Sequence, residues 1–519
     1  MKSGIWLTIV MVLIISTAAV GNDWRATLDE LVATENPEKR GELIGQIAGT
    51  APAWSEVAAY LKRLSYPPVP VDTFLLDSTV CIDGVTRPFV VYVPPAYDPK
   101  VSRPLIVALH GGVSRGNIHS DPVGYAREHY LPAWAKEGGY LLLFPFGQQG
   151  ATWWDKVGMA NIKNLIRHVK RHYHVDDDRV YMAGFSDGGS AAFLQAMLDP
   201  NDYAGFFALN GHMGVGSLDG NLPLYAVNMA NTPIYAITSD MDYYYPTHIM
   251  RPTIEMALEA GADIVYHEHE GPHEFTYGDY ELPLFAQFIE RHPRDPFPPH
   301  ITWETADSRF GTCRWFAIDE ITLESPAAWH RDYNIPMVDS LITIGFVDDN
   351  TYEGRGMLVG SVIDGETMAN EIGLLPGDII TAANEFKIDS TRDLRDFKAS
   401  VTFGDSVAFS IRRNDKELLL TGEIMGPRQF MLFKRDVPSA AARVTALGNR
   451  VEIESSRVGA IRILIHPDMF RLDQNLAVIV NGKTVYDAPI EPDLKYMLRN
   501  FMDNRDSSLL YVGEVEINL

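Results

Sequence analysis

Two cysteines in 519 residues are too few for a disulfide framework. Cys81 and Cys313 stand far apart, and the sequence is compatible with one bridge or with two buried free thiols. Positive charge is also scarce. Against 68 Asp and Glu there are only 44 Lys and Arg, a net charge of −24. Such a chain is a poor partner for nucleic acid or an anionic membrane surface, both of which bind through Lys and Arg. Low-complexity tracts and internal repeats are missing. So are long apolar runs, with one exception from Ile5 to Val20. That run follows Lys2 and ends at the small residues Ala19 and Gly21, which is the pattern of an export signal over 1–21 with Asn22 as the mature start. An uncleaved anchor is the alternative reading. The expectation is an exported protein, periplasmic or secreted, with no membrane contact beyond the signal segment.

At 519 residues the chain is too long for one core, so two to four domains are expected. Trp24, Leu28, Leu31 and Val32, then Leu43, Ile44, Ile47, Val57, Tyr60 and Leu61, recur at helical spacing. They predict a helical lead-in over 22–70, packed on the domain that follows and ended by Pro67-Pro68-Val69-Pro70. From 71 to 292, apolar strand-like runs alternate with helical patterns. Leu105–Leu109 and Tyr140–Pro145 are apolar throughout, as in a buried parallel sheet. The alternation predicts an α/β fold with a doubly wound, mostly parallel sheet. Arg291–Pro299 reads as a linker. Beyond it, 300–335 and 437–519 are β-rich, and neither piece has strands enough for a stable sandwich alone. One split, sandwich-like domain is therefore expected, interrupted by a separate unit at 340–425. Asn481-Gly482 between two β-rich runs signals a hairpin.

The chemistry concentrates at Gly184-Phe185-Ser186-Asp187-Gly188-Gly189. This stretch follows the strand-like Arg179–Ala183 and precedes the helix-like Ser190–Met197. A strand, a tight Gly-x-Ser-x-Gly turn and a helix lift a serine hydroxyl clear of a sheet. Serine is a weak nucleophile until a base takes its proton and a carboxylate orients that base. The chain supplies both downstream. Asp240 and Asp242 compete for the acid; Asp242, four residues before Pro246, is preferred, with Asp240 read as a turn residue capping its own backbone. His273, beside Gly271-Pro272, is the candidate base. His110-Gly111-Gly112 after the 105–109 strand offers backbone N–H groups for an oxyanion, with Gly111 and Gly112 as donors and the Asp187 amide as a further one. Trp153-Trp154 suits either a site mouth or the core.

One decoy is removed on physical grounds. His269-Glu270-Gly271-Pro272-His273 matches the H-E-x-x-H zinc signature, but Gly followed by Pro breaks the helix that signature needs. His267 and His269 share a strand face without an evident third ligand. No metal and no organic cofactor is expected.

Taken together, His110-Gly111-Gly112, the Arg179–Gly189 block, Asp242 before Pro246 and His273 resemble the α/β-hydrolase superfamily. From Val175-Asp176-Asp177-Asp178-Arg179 onward the chain resembles secreted carboxylesterases of the feruloyl esterase and polyhydroxybutyrate depolymerase type. The likeness spans about 71–292 and implies ester hydrolysis through an acyl-serine. Asp187 departs from the small or apolar residue more usual after the serine. Separately, Gly373-Leu374-Leu375-Pro376-Gly377-Asp378-Ile379-Ile380 resembles the signature of bacterial PDZ domains. Within 340–425, the stretch Thr343-Ile344-Gly345-Phe346 resembles that family's carboxylate-binding loop, which implies capture of a peptide C-terminus by Ile344, Gly345 and Phe346. Two other readings stay open: a serine peptidase of the same fold, and a non-catalytic peptide-binding protein on a dead hydrolase scaffold.

Overall fold

Apolar runs buried on both faces require layers on both sides, and residues 71–292 fold that way. The structure is a computed structural model that describes residues 23–519 except 115, 117–119, 340–341, 350 and 364. The export signal expected at 1–21 lies outside the described residues. Eight strands form one sheet: β1 (Thr73–Val80), β2 (Thr86–Val93), β3 (Arg103–Leu109), β4 (Leu141–Pro145), β5 (Val175–Phe185), β6 (Gly205–Leu209), β7 (Ile234–Ser239) and β8 (Ile264–His269). Their order is β1-β2-β4-β3-β5-β6-β7-β8. β1, β2 and β4 pair antiparallel, and from β4 to β8 every pairing is parallel.

Alternation along each strand divides the side chains between two cores. Leu105, Val107 and Leu109 meet Ile162 and Leu165 of helix Lys156–His172 and Ala192 of helix Asp187–Leu198. Ile106 and Ala108 face the other way, in a core with Trp134 and with Phe285 and Phe288 of helix Gly278–Arg291. The sheet is thus doubly wound.

The β-rich pieces on either side of the PDZ-like unit interleave. His300–Thr305 pairs with Ala440–Leu447 in a five-stranded sheet, and Phe316–Ile321 pairs with Val458–Ile465 in a four-stranded one. The chain turns at Asn481 (φ 49°) and Gly482 (φ 80°) between antiparallel strands. The lead-in helices Trp24–Ala33, Pro37–Gly49 and Trp54–Leu61 correct an expectation. Their apolar stripes do not join either hydrolase core. Leu28, Leu31, Ile47 and Val57 share a core with Trp303, Trp315, Phe316 and Phe501 of the β-rich domain. An amphipathic stripe says that a face is buried, not which distant surface buries it.

The PDZ-like unit packs around Met357, Ile380, Phe397, Phe409 and Ile411. Its entry and exit segments, Pro336–Asp339 and Arg428–Met431, pair antiparallel as a two-stranded ribbon. Met337, Leu432 and Phe433 root this ribbon in the hydrolase core, where the Lys434 N–H donates to Ser217 Oγ at 2.9 Å.

Both thiols are free and buried, so the bridge left open by the sequence is not formed. Burial pushes the Cys313 thiol up to about 12, which leaves it unreactive at neutral pH.

The acidic block at the start of β5 anchors the chain's last segment. Lys170 Nζ lies 2.9 Å from Asp177 and 3.1 Å from Asp506. Arg294 reaches Asp178 at 2.7 Å and Asp506 at 2.9 Å. The side chains of Lys170, Arg294 and Asp506 are at most 1% exposed. Burial alone would raise the Asp506 carboxyl, but the charges of Arg294 and Lys170 outweigh it and hold the group below the usual carboxylate range. Asp506→Asn strands two buried cations with one partner fewer. It is expected to cost about 3–5 kcal/mol, read as loss of thermal and urea stability.

Candidate active site

β5 runs into the helix Asp187–Leu198 through Ser186, whose backbone sits at φ 60°, ψ −120°. A non-glycine residue there carries about 1–3 kcal/mol of strain. Glycines on either side permit it. A β-carbon on Gly184 would lie 2.2 Å from the Gly188 carbonyl carbon, and one on Gly188 would lie 2.2 Å from the Leu109 carbonyl oxygen. The kink is secured by Ser186 N–H donating to Leu209 O at 2.9 Å.

The three residues expected from far-separated segments come together here. His273 Nε2 is 2.8 Å from Ser186 Oγ, and His273 Nδ1 is 2.7 Å from Asp242 Oδ2. An ionised Asp242 can only accept, so Nδ1 carries the proton and Nε2 accepts from the serine hydroxyl. The side chains of His273 and Asp242 are 7% and 0% exposed. Asp242 Oδ1 takes the Tyr244 and Tyr245 N–H groups at 2.8 and 2.9 Å. Burial would raise this carboxyl, yet the bond and charge of His273, the Tyr245 amide and the Asn210 amide together hold it below its usual range.

Asp240 is placed differently from its expected role. Its Oδ1 accepts the Gly271 N–H at 2.9 Å and so pins the histidine loop rather than capping its own turn. The Tyr243, Tyr244 and Tyr245 rings stand 5.0–6.0 Å from the His273 ring.

The 110–113 loop lies directly against the kink. A β-carbon on Gly111 would come within 2.8 Å of Ser186 Cβ, and Gly112 adopts φ +71°. Asp187 Oδ2 accepts the Val113 N–H at 2.9 Å, so the unusual residue after the serine ties this loop to the helix start. His110 accepts the Gly147 N–H on Nε2 at 3.0 Å and donates from Nδ1 to the Gly111 carbonyl at 2.8 Å. Trp153 is 1% exposed and donates its indole N–H to the His110 carbonyl at 2.9 Å. Trp153 and Trp154 are core residues that brace the loop.

Two residues of the site escaped sequence reasoning. Asn210, fully buried, donates to Asp242 Oδ2 and to Ser239 Oγ, each at 2.9 Å. Tyr277 donates its hydroxyl to Asn210 Oδ1 at 2.6 Å. The one available signal is an asparagine directly after the apolar strand β6, at the C-terminal edge where sites form in such sheets.

The third ligand missing beside His267 and His269 is Glu281, from the first turn of helix Gly278–Arg291. His267 Nδ1 and His269 Nε2 approach Glu281 Oε1 at 2.8 and 2.6 Å, and Tyr235 donates to Oε2 at 2.5 Å. These three side chains are the set, among the described residues, whose donors could hold a metal ion. Each already has a hydrogen-bond partner within the cluster.

In the PDZ-like unit, Ile344 is buried and its carbonyl accepts the Ala369 N–H at 2.7 Å. Gly345, at φ +97°, accepts the Ile363 N–H at 2.9 Å. Among the described residues, Phe346–Asp348 pairs only with Met357–Val362 and forms the sheet edge. From the neighbouring helix Thr391–Ala399, Arg395 places its guanidinium 5.4 Å over the Tyr243 ring.

The folded centre of the chain is an α/β-hydrolase domain, and a PDZ domain hangs from it. Residues 154–281 match the phospholipase/carboxylesterase family model, and 340–424 match the PDZ domain model. The bifunctional acetylxylan esterase/xylanase XynS20E of Neocallimastix patriciarum is 26% identical over 156 residues, covering 29% of this chain and 22% of that protein. The chain thus spans about a fifth of that relative. A thermostable esterase shares 21% identity, covering 43% of this chain and 64% of the other, with a TM-score of 0.35. The fluorophosphonate-binding serine hydrolase FphF of Staphylococcus aureus shares 15%, covering 43% and 98%, at 0.34.

Asn210→Ala removes a buried donor from Asp242 and an acceptor from Tyr277, an expected loss of about 1–3 kcal/mol. Asp242 is depressed in the folded state, so its stabilising contribution is complete above its unfolded pKa and fades as pH falls through the folded value. The gap between the melting curves of the two proteins is therefore expected to hold from neutral pH down to about pH 4 and to narrow as pH falls further.

Proposed function

We propose that this protein is an exported serine hydrolase that cleaves carboxylic esters through an acyl-serine intermediate. The observation that carries the proposal is the unbroken line Ser186–His273–Asp242, with links of 2.8 and 2.7 Å at the C-terminal edge of the sheet. Ser186 Oγ attacks the ester carbonyl while His273 Nε2 takes its proton. The tetrahedral oxygen is held by the amides of Gly111, Gly112 and Asp187. On collapse, the C–O bond breaks and His273 returns the proton to the leaving alcohol. Water, deprotonated by the same imidazole, then releases the acid and regenerates the serine. Asp242 keeps the productive tautomer of His273 and stabilises the imidazolium. Likeness to an acetylxylan esterase supports small acyl esters of a carbohydrate as a first substrate class.

The PDZ domain gives a peptidase reading its own footing. Its carboxylate loop at Ile344, Gly345 and Phe346, beside a free strand edge, suits a peptide C-terminus added as a further strand. Parallel assays on an aryl acetate, a feruloyl ester and a peptide amide separate the readings. Turnover of the amide alone would overturn the esterase proposal.

Ser186→Ala is expected to abolish both turnover and fluorophosphonate labelling while leaving the melting temperature near wild type. Asp242→Asn is expected to lower kcat by about 10⁴-fold, and Asp240→Asn by far less; the reverse order would move the acid to Asp240.

Asp339 and Arg428 are cross-strand partners, so an Asn-Gly turn can replace residues 340–427 and close the ribbon. The shortened protein is expected to hydrolyse an aryl acetate with kcat/KM little changed. Asp242 keeps its Tyr244, Tyr245 and Asn210 donors without the Arg395 contact. Loss of activity in a folded product would make the PDZ domain part of the active site.

A further inference from the structure

A cavity of about 920 Å³ opens between the lead-in helices, the helix Lys156–His172 and the chain's last helix, and none of its walls belongs to the Ser186 site. A second cavity of about 540 Å³ adjoins it and shares Arg171 and Arg505 as lining residues. Arg40 and Arg167 line the second cavity, and Arg25 and Arg63 the first. In a chain of net charge −24 this is a local inversion of sign.

The lining acids Asp29, Glu35, Glu56, Asp177 and Asp503 are outnumbered by the six arginines and Lys170. Asp177 is taken up by Lys170 and Ser507. Glu35 pairs with Arg171 at a terminal nitrogen, and Arg171 Nε is without a hydrogen-bond partner. Arg505 is 5% exposed, and both its Nε and Nη2 lack any hydrogen-bond partner. No ion pair reaches it among the described residues. Burial, followed by the charges of Arg171 and Arg40, pushes this guanidinium down to about 9. The backbone that carries it is fixed in place. Arg505 closes helix Leu494–Asn504 at φ 54°, with its N–H on the Phe501 carbonyl at 2.7 Å. A buried and unpaired guanidinium beside like charges is costly to fold around, unless an anion completes it.

We propose that this cavity binds an organic oxyanion, a carboxylate or a phosphate, whose oxygens take the free N–H groups of Arg505 and Arg171. The planar guanidinium fork matches either group in two-point geometry. Trp24, Tyr60, Tyr66 and Leu64 in the same walls suit an apolar body attached to the charged head.

The test uses the full chain, with melting and calorimetric titration at constant ionic strength against chloride. The probes are inorganic phosphate and benzoate. Wild type is expected to gain melting temperature saturably with at least one probe, following the linkage of binding to folding. A larger response to benzoate assigns a carboxylate bearing an apolar body, and a larger response to phosphate assigns a phosphate. Arg505→Gln and Arg171→Gln are each expected to weaken that binding at least tenfold. If Arg505→Gln does not fold, Arg171→Gln alone decides. In chloride buffer Arg505→Met is expected to melt above wild type, because it removes an uncompensated charge. No saturable response to either probe, unchanged affinity in the glutamine variants, or a lower melting point for Arg505→Met would each overturn the proposal.

Discussion

The backbone reversal at Ser186 is the constraint on which the site depends. A serine at φ 60°, ψ −120° is unfavourable in isolation. It persists because strand β5 and the helix after it meet where no β-carbon fits, at Gly184 and Gly188. The same approach presses Gly188 onto the Leu109 carbonyl and Gly111 onto Ser186. Candidate nucleophile and candidate oxyanion donors are thereby located by one packing event. Asp187 adds a tether between the 110–113 loop and the helix start. An aspartate there, odd as a neighbour of the nucleophile, makes sense as a strut.

The candidate acid and base come from two loops at the ends of β7 and β8, and loops are mobile unless held. Here Asp240 accepts Gly271 N–H while Met241 N–H donates to the Gly271 carbonyl, so the loops are stitched together through both backbone groups of Gly271, two residues before His273. Asn210 and Tyr277 continue the polar network inward from Asp242. Every lone pair of the buried carboxylate that could demand water finds a donor. This is why the group stays ionised despite burial, and a fixed carboxylate is what an imidazole needs to gain positive charge during reaction.

What the sequence disclosed follows the range of the underlying signal. The Gly-x-Ser-x-Gly kink, the apolar central strands and the Asn481-Gly482 turn are local, and the residues that define them are contiguous. The order of serine, acid and base is legible because sheet topology converts it into proximity. Asn210 and Glu281 carry no such mark: one follows a strand and the other sits on an amphipathic helix, and only the folded geometry gives them partners. The choice of Asp242 over Asp240 rested on turn spacing, and the structure places the two side chains on different tasks. Most opaque were the long-range contacts. The lead-in helices reach past the hydrolase to the β-rich domain, and the ribbon of 336–339 with 428–431 joins segments roughly ninety residues apart, a cost of loop closure that grows only slowly with length.

The domain arrangement shows where binding could alter the whole molecule. Tight ionic packing of Lys170, Asp177, Arg294 and Asp506 joins the hydrolase to the chain's last segment with each partner satisfied. Immediately beside it, Arg505 is buried and Arg171 partly buried, each with free donors. Two neighbouring clusters of the same residue types therefore differ in one respect: every cation of the first meets a counter-charge, and Arg505 in the second does not. Three modules meet at the second cluster: the lead-in, the hydrolase and the last helix. An anion seated there would supply the missing charge and join them, so its binding energy would appear as stability of the interface rather than as a change at Ser186.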